Sequence, residues 1–139
     1  MSSPLHIRAA AAADAAAIGA IYDEGVRSGV ATFASGSHDA EERRAWLASR
    51  PPRAPVYCGE AEGEVLTWSA LAPFSHRSWY DGVAEYTVYV SSRAQGRGAG
   101  LRMLEHLVAA APSFGYWKLV GMIMARNTAG LALAERAGF

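Results

Sequence analysis

The spacing of apolar residues changes along the chain between that of helices and that of strands. Apolar positions three and four apart predict helices, and short runs of β-branched and aromatic residues predict strands. The first half of the chain is predicted to form a strand at 5–9, a helix capped by Asp14, a second helix capped by Ser37 or Asp39 and stopped by Pro51, and strands at 55–61 and 64–71. The second half is predicted to form a strand that carries Glu85 and ends at Val90, a helix from Leu101, a strand at 117–125, and a last helix capped by Asn127. This β-α-α-β-β-β-α-β-α order is typical of an α/β domain with a mixed sheet.

One stretch joins three of these elements in a way that favours a ligand site. Residues 86–90 predict a strand, Gly96, Gly98 and Gly100 alternate with larger residues in a loop, and the apolar spacing from Leu101 predicts a helix. A helix N-terminus carries unpaired N–H groups and about half a positive charge. A glycine loop that leads from a strand into a helix is therefore a suitable site for phosphate oxygens.

Two common phosphate-binding patterns do not fit this loop. The Walker pattern ends in Gly-Lys-Ser/Thr, whereas Gly100 is followed by Leu101 and Arg102. The dinucleotide fingerprint needs G-x-G-x-x-G at the start of a βαβ unit, whereas the glycines here alternate and lie two-thirds of the way along the chain. The loop is thus expected to hold a phosphate ligand of another kind.

Composition narrows the functional classes. The 139 residues are 51% hydrophobic with a formal net charge of zero, which favours one globular domain over 1–139 and no general affinity for nucleic acid or an anionic membrane. The mixed charges of Glu41–Arg44 favour a solvated helix face. Cys58, the only cysteine, is expected to be a small packing residue, and the four histidines lack metal-ligand spacing, so neither a disulfide nor a metal is predicted. The absence of a leader pattern and of an apolar run of ~18 residues indicates a cytoplasmic protein.

The glycine loop resembles that of a known family. Gln95-Gly-Arg-Gly-Ala-Gly100 is similar to the Q/R-x-x-G-x-G/A loop of the GNAT acyl-CoA-dependent N-acetyltransferases, and it lies at the strand-to-helix junction that the family requires. Within the family, the chain most resembles phosphinothricin and methionine sulfoximine N-acetyltransferases. Besides the loop, the residues that carry this resemblance are Ala31–Phe33, Pro73, Phe74, Arg77, Tyr80, Glu85, Val88–Val90, Asn127, Leu133, Glu135, Gly138 and Phe139.

The resemblance implies an enzyme with the GNAT fold, a mixed and mostly antiparallel sheet flanked by helices, that uses acetyl-CoA as co-substrate and acetylates an amine by direct attack. It implies that Glu85 is the general base, directly or through a water, and that the Val90 N–H stabilises the thioester oxyanion. The coenzyme-binding residues that it implies are Val88, Tyr89, Val90, Gln95, Gly96, Arg97, Gly98, Ala99, Gly100, Leu101 and Asn127.

The acceptor that the resemblance implies is a small amino-acid-like amine. Arg77 suits its carboxylate, and Phe33 and Tyr80 are implied to line its pocket. Related enzymes commonly have a second basic residue where this chain has Ser75, which favours methionine sulfoximine or sulfone over the doubly anionic phosphinothricin. The sequence leaves open another amine (a polyamine, an aminoglycoside or a protein N-terminus) and a non-catalytic acyl-CoA-binding module.

The chain departs from the family's pattern in two places. Ala134 stands where related enzymes often have a histidine, so no general acid is assigned, and Tyr89 or a water remains a candidate. Related enzymes also continue past the position of Phe139 with two more strands, so the C-terminal strands are expected to be missing or supplied by another chain. An open sheet edge invites pairing, which predicts a homodimer.

Overall fold

The structure is a computed structural model that describes residues 4–28 and 39–139. Across these ranges the helices and strands follow the predicted order, and none of the helices has the length and apolar character needed to cross a membrane. The elements are β1 (His6–Ala9), α1 (Ala15–Ser28), α2 (Ala40–Ser49), β2 (Val56–Ala61), β3 (Glu64–Pro73), β4 (Val83–Val90), α3 (Ala99–Ala110), β5 (Lys118–Gly121) and α4 (Thr128–Arg136), with short 3-10 turns at Ala12–Asp14, Ser78–Tyr80 and Ala111–Phe114.

The sheet has the strand order β1-β2-β3-β4-β5. The first four strands pair antiparallel and β5 pairs parallel to β4, so the predicted mixed, mostly antiparallel sheet is confirmed. β4 therefore lies between an antiparallel partner, β3, and a parallel partner, β5. The parallel pairing is short, from Val83 opposite Lys118 to Tyr86 opposite Gly121, and this shortness determines where the site forms.

Helices cover both faces of the sheet, and each face has its own apolar core. α1 and α2 cover one face, where Cys58 is fully buried and burial raises the pKa of its thiol to about 12, so its predicted packing role is confirmed. α3 and α4 cover the other face. The first core includes Ile18, Ile21, Tyr22, Val56, Cys58, Trp68 and Ala70, and the second Leu71, Ala84, Tyr86, Leu104, Leu107, Ala111 and Tyr116.

Two predicted helix caps are confirmed. The Asp39 carboxylate accepts a hydrogen bond from the Glu42 N–H at 2.8 Å at the start of α2. The Asn127 side-chain oxygen accepts from the Gly130 N–H at 2.9 Å at the start of α4. Each cap satisfies one of the donors that the first turn of a helix leaves unpaired. The alternative cap for α2, Ser37, lies outside the described residues.

The predicted cap at Asp14 is wrong. The Asp14 carboxylate accepts from the Ala11 N–H at 2.7 Å, behind it in the chain, and forms an ion pair with Arg8 at 2.7 Å. The hydrogen bonds from Arg8 hold the pKa of Asp14 below its usual value. Asp14 is the last residue of a 3-10 turn that runs directly into α1 at Ala15, and its carboxylate joins this turn to β1.

The prediction of a solvated face for Glu41–Arg44 is wrong for Arg43, whose residue surface is only 6% exposed. The Arg43 guanidinium lies 4.8 Å from the ring centroid of Tyr22 and 4.7 Å from that of Trp46. A cation over an aromatic face is stabilised by the ring's negative face, so an arginine can be buried there. Charge alternation alone does not indicate such a contact, because one of the rings comes from another helix.

The last strand is shorter than the predicted 117–125, since β5 covers only Lys118–Gly121. A Cβ at Gly121 would meet the ring of Tyr86, the last residue of β4 that pairs with β5. Trp117, just before β5, is exposed and lies over Gly82. β4 and β5 separate directly after the contact between Tyr86 and Gly121, which limits the strand to four residues.

Candidate active site

A gap opens beside the last residues of β4, because its pairing with β5 ends early. The last paired residues are Tyr86 and Gly121, whereas β4 continues to Val90. Residues of α1, of the N-terminus of α3 and of α4 complete the gap into a cleft of about 680 Å³. The cleft is therefore formed where two parallel strands separate, next to a helix N-terminus.

The hydrogen-bond pattern of β4 directs main-chain groups into this cleft. The Ser91 N–H donates to the Leu66 carbonyl at 2.8 Å, just beyond the end of β4, so Ser91 bonds toward β3. In an antiparallel pair, bonding direction alternates from residue to residue. Val88 and Val90 consequently turn their N–H and carbonyl groups away from β3, toward the side where β5 has already ended.

The glycines bring the loop and α3 close to the cleft. Gly96 and Gly98 both have φ +79°, a conformation that side chains disfavour, and a Cβ at either position would meet nothing within 4 Å. Gly100 instead lies at a tight junction, since its Cβ would be 3.3 Å from the Val90 side chain and 3.4 Å from that of Leu133. The first two glycines shape the loop, and the third allows α3 to approach β4 and α4.

The N-terminus of α3 fits a phosphate-bearing coenzyme. Gly98 is its N-cap, and no side chain caps the helix there. The N–H groups of Ala99, Gly100 and Leu101 belong to the first turn, where a helix offers no carbonyl partner. All four residues line the cleft, so unpaired donors and the positive end of the helix dipole meet the space that a ligand would fill.

Glu24 of α1 connects this loop to the opposite side of the cleft. Its carboxylate accepts from the Ser92 N–H at 3.0 Å and from the Ser91 hydroxyl at 3.4 Å, and the residue also lines the cleft. Burial alone would raise the pKa of Glu24, but the hydrogen bonds from Ser92 and Ser91 outweigh it and the pKa is lowered. Sequence reasoning missed Glu24, because nothing in the sequence distinguishes it from other glutamates on helices.

Nearly all the predicted coenzyme residues line the same cleft. The exception is Arg97, which lines a neighbouring cavity of about 420 Å³ together with Arg93, Arg102 and Glu64. Arg93 is paired there with Glu64. The predicted residues that line the cleft are Val88, Tyr89, Val90, Gln95, Gly96, Gly98, Ala99, Gly100, Leu101 and Asn127.

Glu85, the predicted base, lies on β4 before the cleft. It is half-buried, opposite Ala72 on β3 and Val120 on β5. The alternation of a strand places its side chain on the face of Thr87 and Tyr89, opposite Tyr86 and Val88. Among the described residues, no ion pair or hydrogen bond engages its carboxylate, and it does not itself line the cleft.

The predicted acceptor residues are not part of the cleft. Arg77 and Tyr80 lie in the loop between β3 and β4, where the Arg77 guanidinium is 5.4 Å from the Trp79 ring centroid and Tyr80 packs against Phe74. All of these side chains are exposed. Phe33 lies outside the described residues. In the part of the chain that the structure describes, no group of three His, Cys, Asp or Glu side chains is placed to hold a metal ion.

Comparisons with known proteins agree with this geometry. The family model for acetyltransferases of the GNAT family matches residues 18–139. The chain is 31% identical over 135 residues to an L-methionine sulfoximine/L-methionine sulfone acetyltransferase of Pseudomonas aeruginosa, a match that covers 96% of this chain and 78% of the relative.

Two solved structures extend the likeness to the whole described fold. A GNAT superfamily phosphinothricin acetyltransferase from Sinorhizobium meliloti, in complex with acetyl-CoA, matches with a TM-score of 0.88 and 28% identity over 99% of this chain and 75% of that one. A ribosomal-protein-alanine N-acetyltransferase from Brucella melitensis matches with a TM-score of 0.89 and 34% identity over 96% of this chain and 83% of that one. The predicted fold is confirmed, and the chain belongs to the GNAT acetyltransferase family as an acetyl-CoA-dependent N-acetyltransferase.

Proposed function

We propose that this enzyme transfers an acetyl group to the primary amine of a small amino-acid-like acceptor, of the methionine sulfoximine or sulfone type, by direct attack. The observation that carries the proposal is the cleft beside β4, where main-chain donors of a strand end and a helix N-terminus meet in one space. The likeness to the Pseudomonas aeruginosa enzyme supports the acceptor class.

Main-chain atoms hold the coenzyme in this proposal. Acetyl-CoA, when bound, supplies a thioester whose carbonyl carbon is open to attack by an amine. The outward-turned groups of Val88 and Val90 would bind the pantetheine, and the N–H groups from Gly96 to Leu101 would bind the diphosphate. Asn127 lines the same cleft while capping α4, so it is placed to contact the coenzyme from the side.

Glu85 is the proposed base. An α-amine has a pKa of roughly 8, so at neutral pH it is mostly protonated and must lose a proton before it attacks. Glu85 lies on β4 ahead of the cleft, with its carboxylate on the face of Thr87 and Tyr89. It can accept the proton from an amine on that face, directly or through a water.

The Val90 N–H is the proposed donor to the developing oxyanion. Negative charge that appears on the thioester oxygen is stabilised by a donor that already points at it. The alternation of β4 turns the Val90 N–H away from β3, toward the cleft that the residue lines. The side chain of Val90 has no part in this role.

A general acid is not required for the leaving group. A thiol has a pKa of about 8.5, so the thiolate departs with little assistance. This is consistent with Ala134 on α4, which offers no proton. No acid is therefore included among the proposed catalytic groups.

The acceptor is proposed to carry a carboxylate and a weakly charged side chain. Ser75 in the β3–β4 loop cannot pair with a second anionic group as a basic residue would, which disfavours phosphinothricin. Tyr80 and Phe33 remain predicted contacts of the acceptor, and Arg77 remains one candidate for its carboxylate.

An assay of thiol release from acetyl-CoA against a panel of amines tests the proposal. The panel contains methionine sulfoximine, methionine sulfone, phosphinothricin, spermidine, an aminoglycoside and a peptide with N-terminal alanine. We expect kcat/KM to be highest for the sulfone or sulfoximine. A higher value for spermidine or the aminoglycoside would contradict the proposed acceptor, and binding of acetyl-CoA without thiol release for any amine would contradict the reaction itself.

A second acceptor is favoured by one comparison. The solved structure from Brucella melitensis is named for acetylation of an alanine of a ribosomal protein, and it is 34% identical to this chain. The alanine peptide in the panel decides between the two, because a preference for it over free amino acids would assign the enzyme to protein N-termini.

We also propose that the enzyme is a homodimer. β5 is the last strand of the described sheet, and Trp117 beside it is 76% exposed. Exposed aromatic surface of this kind favours contact with a second copy. Light scattering at micromolar concentration should give twice the mass of the chain, and a monomer would contradict the proposal.

A further inference from the structure

A second cavity of about 460 Å³ lies on the sheet face that α1 and α2 cover. Its walls come from four elements, and we call it the aromatic cavity. Tyr89 lines both this cavity and the coenzyme cleft, so the two spaces adjoin at β4. The residues that define the aromatic cavity are Tyr22, Arg43, Trp46, Trp68, Thr87 and Tyr89.

Arg43 brings a buried positive charge to this cavity. It is only 6% exposed, its Nε is buried without a hydrogen-bond partner, and within the described residues it forms no ion pair. Burial lowers the pKa of the guanidinium, and Asp23 and two tyrosines oppose this effect. An arginine nevertheless stays charged at neutral pH. A buried charge of this kind is stabilised by an anion of matching geometry.

The rings fix the orientation of the guanidinium. It lies 4.8 Å from the Tyr22 centroid, 4.7 Å from that of Trp46 and 5.8 Å from that of Trp68. Trp68 in turn stacks on Tyr89, with centroids 5.0 Å apart and an interplanar angle of 14°. A planar cation surrounded by rings loses little rotational freedom when it binds a carboxylate, and the apolar walls strengthen the pairing.

A second donor in the same cavity also lacks an acceptor. The Trp68 Nε1 is buried and has no hydrogen-bond partner. Buried donors in native proteins are nearly always bonded, so two such groups in the lining of one cavity point to a ligand that carries acceptor oxygens. Glu42 also lines the cavity, but it is exposed.

The cavity lies on the side of β4 where the proposed chemistry occurs. Glu85, Thr87 and Tyr89 alternate onto one face of the strand, and residues two apart are separated by about 7 Å along it. Thr87 and Tyr89 line the cavity. An α-amino acid whose carboxylate reaches Arg43 can therefore direct its amine toward Glu85 and the cleft.

We propose that the aromatic cavity is the acceptor pocket and that Arg43, rather than Arg77, binds the carboxylate of the amino-acid acceptor. The inference rests on the proposed function and adds the residue that selects the substrate class. Arg77 provides a contrast, since it lies in an exposed loop over Trp79, itself 67% exposed, where water weakens an ion pair. The Trp68 Nε1 donates to the same carboxylate or to a sulfone oxygen.

The test compares two acceptors that differ only in the carboxylate. Thiol release is measured with L-methionine sulfone and with its carboxamide, and the ratio of their kcat/KM values is taken for each enzyme. The two amines differ in pKa, but that difference cancels when a variant is compared with the wild type. We expect the wild type to prefer the free acid by about 30-fold or more, as for a charge-assisted bidentate pair.

Four variants identify the arginine: two at Arg43, one at Arg44 as a matched control, and Arg77→Gln, which should keep the wild-type ratio. Arg43→Gln should reduce the ratio to within about threefold of unity, mainly by raising KM for the acid, since the ion pair is removed while the neutral amide loses little. Arg43→Lys keeps the charge without the fork and should reduce the ratio about three- to tenfold. Arg44→Gln makes the same chemical change at the next residue, whose guanidinium is exposed and paired with Glu41, and should keep the wild-type ratio.

The outcomes separate this inference from the function on which it rests. Wild-type ratios in both Arg43 variants, or a ratio lost in Arg77→Gln but not in Arg43→Gln, would overturn the assignment of Arg43 while leaving the acetylation of amino acids in place. If Arg43→Gln fails to fold, as judged by circular dichroism, the ratio for Arg43→Lys decides. Wild-type enzyme that releases no thiol with either amine overturns both proposals.

Discussion

The cleft and the aromatic cavity lie beside the same strand and share Tyr89, but they offer a ligand different kinds of groups. The cleft presents main-chain groups of residues 88–101 that are close in sequence. The aromatic cavity presents side chains from α1, α2, β3 and β4, which come together only in the folded sheet. The difference teaches that a coenzyme site made of backbone tolerates changes of side chain, whereas an acceptor site made of side chains can be altered by a single substitution.

The largest expected effect is at Glu85, which lies on β4 ahead of both sites. Glu85→Gln removes the proposed base but leaves every group that lines the cleft, so kcat should fall by about 100-fold or more while acetyl-CoA affinity stays within twofold. Steady-state kinetics and calorimetry measure the two quantities separately. Equal loss of both would show that Glu85 supports the cleft rather than the proton transfer.

A pair of glycines tests whether the main chain forms the coenzyme site. Gly98→Ala places a side chain at φ +79° in the cleft, and Gly63→Ala does so at φ +77° in the turn between β2 and β3. Both changes should destabilise the fold by about 1 kcal/mol, because both need the left-handed conformation. Only Gly98→Ala should also weaken acetyl-CoA binding, by about tenfold.

The same loss of affinity in both variants would mean that strain, and not the position of the glycine, is responsible. Melting temperatures measured by circular dichroism provide the stability control. Calorimetric titration with acetyl-CoA gives the affinities of variants that remain folded at the assay temperature.

Glu24 is the side chain that most directly supports the backbone-built cleft. Glu24→Gln should lower the free energy of unfolding by about 1 kcal/mol, since the bonds from Ser91 and Ser92 lose a charged acceptor. Folding lowers the pKa of Glu24, so the ionised carboxylate stabilises the folded state. This contribution to stability is fully present above the usual glutamate pKa of about 4.3 and is lost as the pH falls through the lowered pKa. Thermal melts from pH 7 to pH 3 should show wild type and variant converging at the acid end, and a constant difference would contradict this origin.

The smallest expected effect is at Val90. Val90→Thr changes the side chain but keeps the N–H and the branching at Cβ, so kcat and acetyl-CoA affinity should both stay within about twofold. Kinetics with methionine sulfone measure this directly. A tenfold loss would show that the apolar side chain, and not the amide, is the important group.

Sequence reasoning was most successful where structure depends on local pattern. The order of the elements, the caps at Asp39 and Asn127 and the placement of the glycine loop follow from residues that are neighbours in the chain. The cap at Asp14 was wrong because the carboxylate is held from behind by Arg8 of β1. No local pattern shows such a competitor.

The aromatic cavity could not be predicted for a related reason. Arg43 lies in a run of mixed charges that is typical of a solvated helix, and its burial depends on rings contributed by Tyr22 and Trp68. The sequence shows that these aromatic residues exist but not that the antiparallel register and the crossing of two helices place them around one guanidinium. Contacts between distant segments are determined by packing, which periodicity does not encode.

Gly121 has a consequence for how deeply a ligand can enter. The Tyr86 ring lies where a side chain at this position would have to go, so β4 and β5 stay paired up to this contact and separate beyond it. A bulkier residue at 121 would clash with this ring. We expect β4 and β5 then to separate one residue pair closer to Lys118, which would lengthen the gap beside β4. The gap beside β4 thus begins where it does because Gly121 has no side chain to displace the Tyr86 ring.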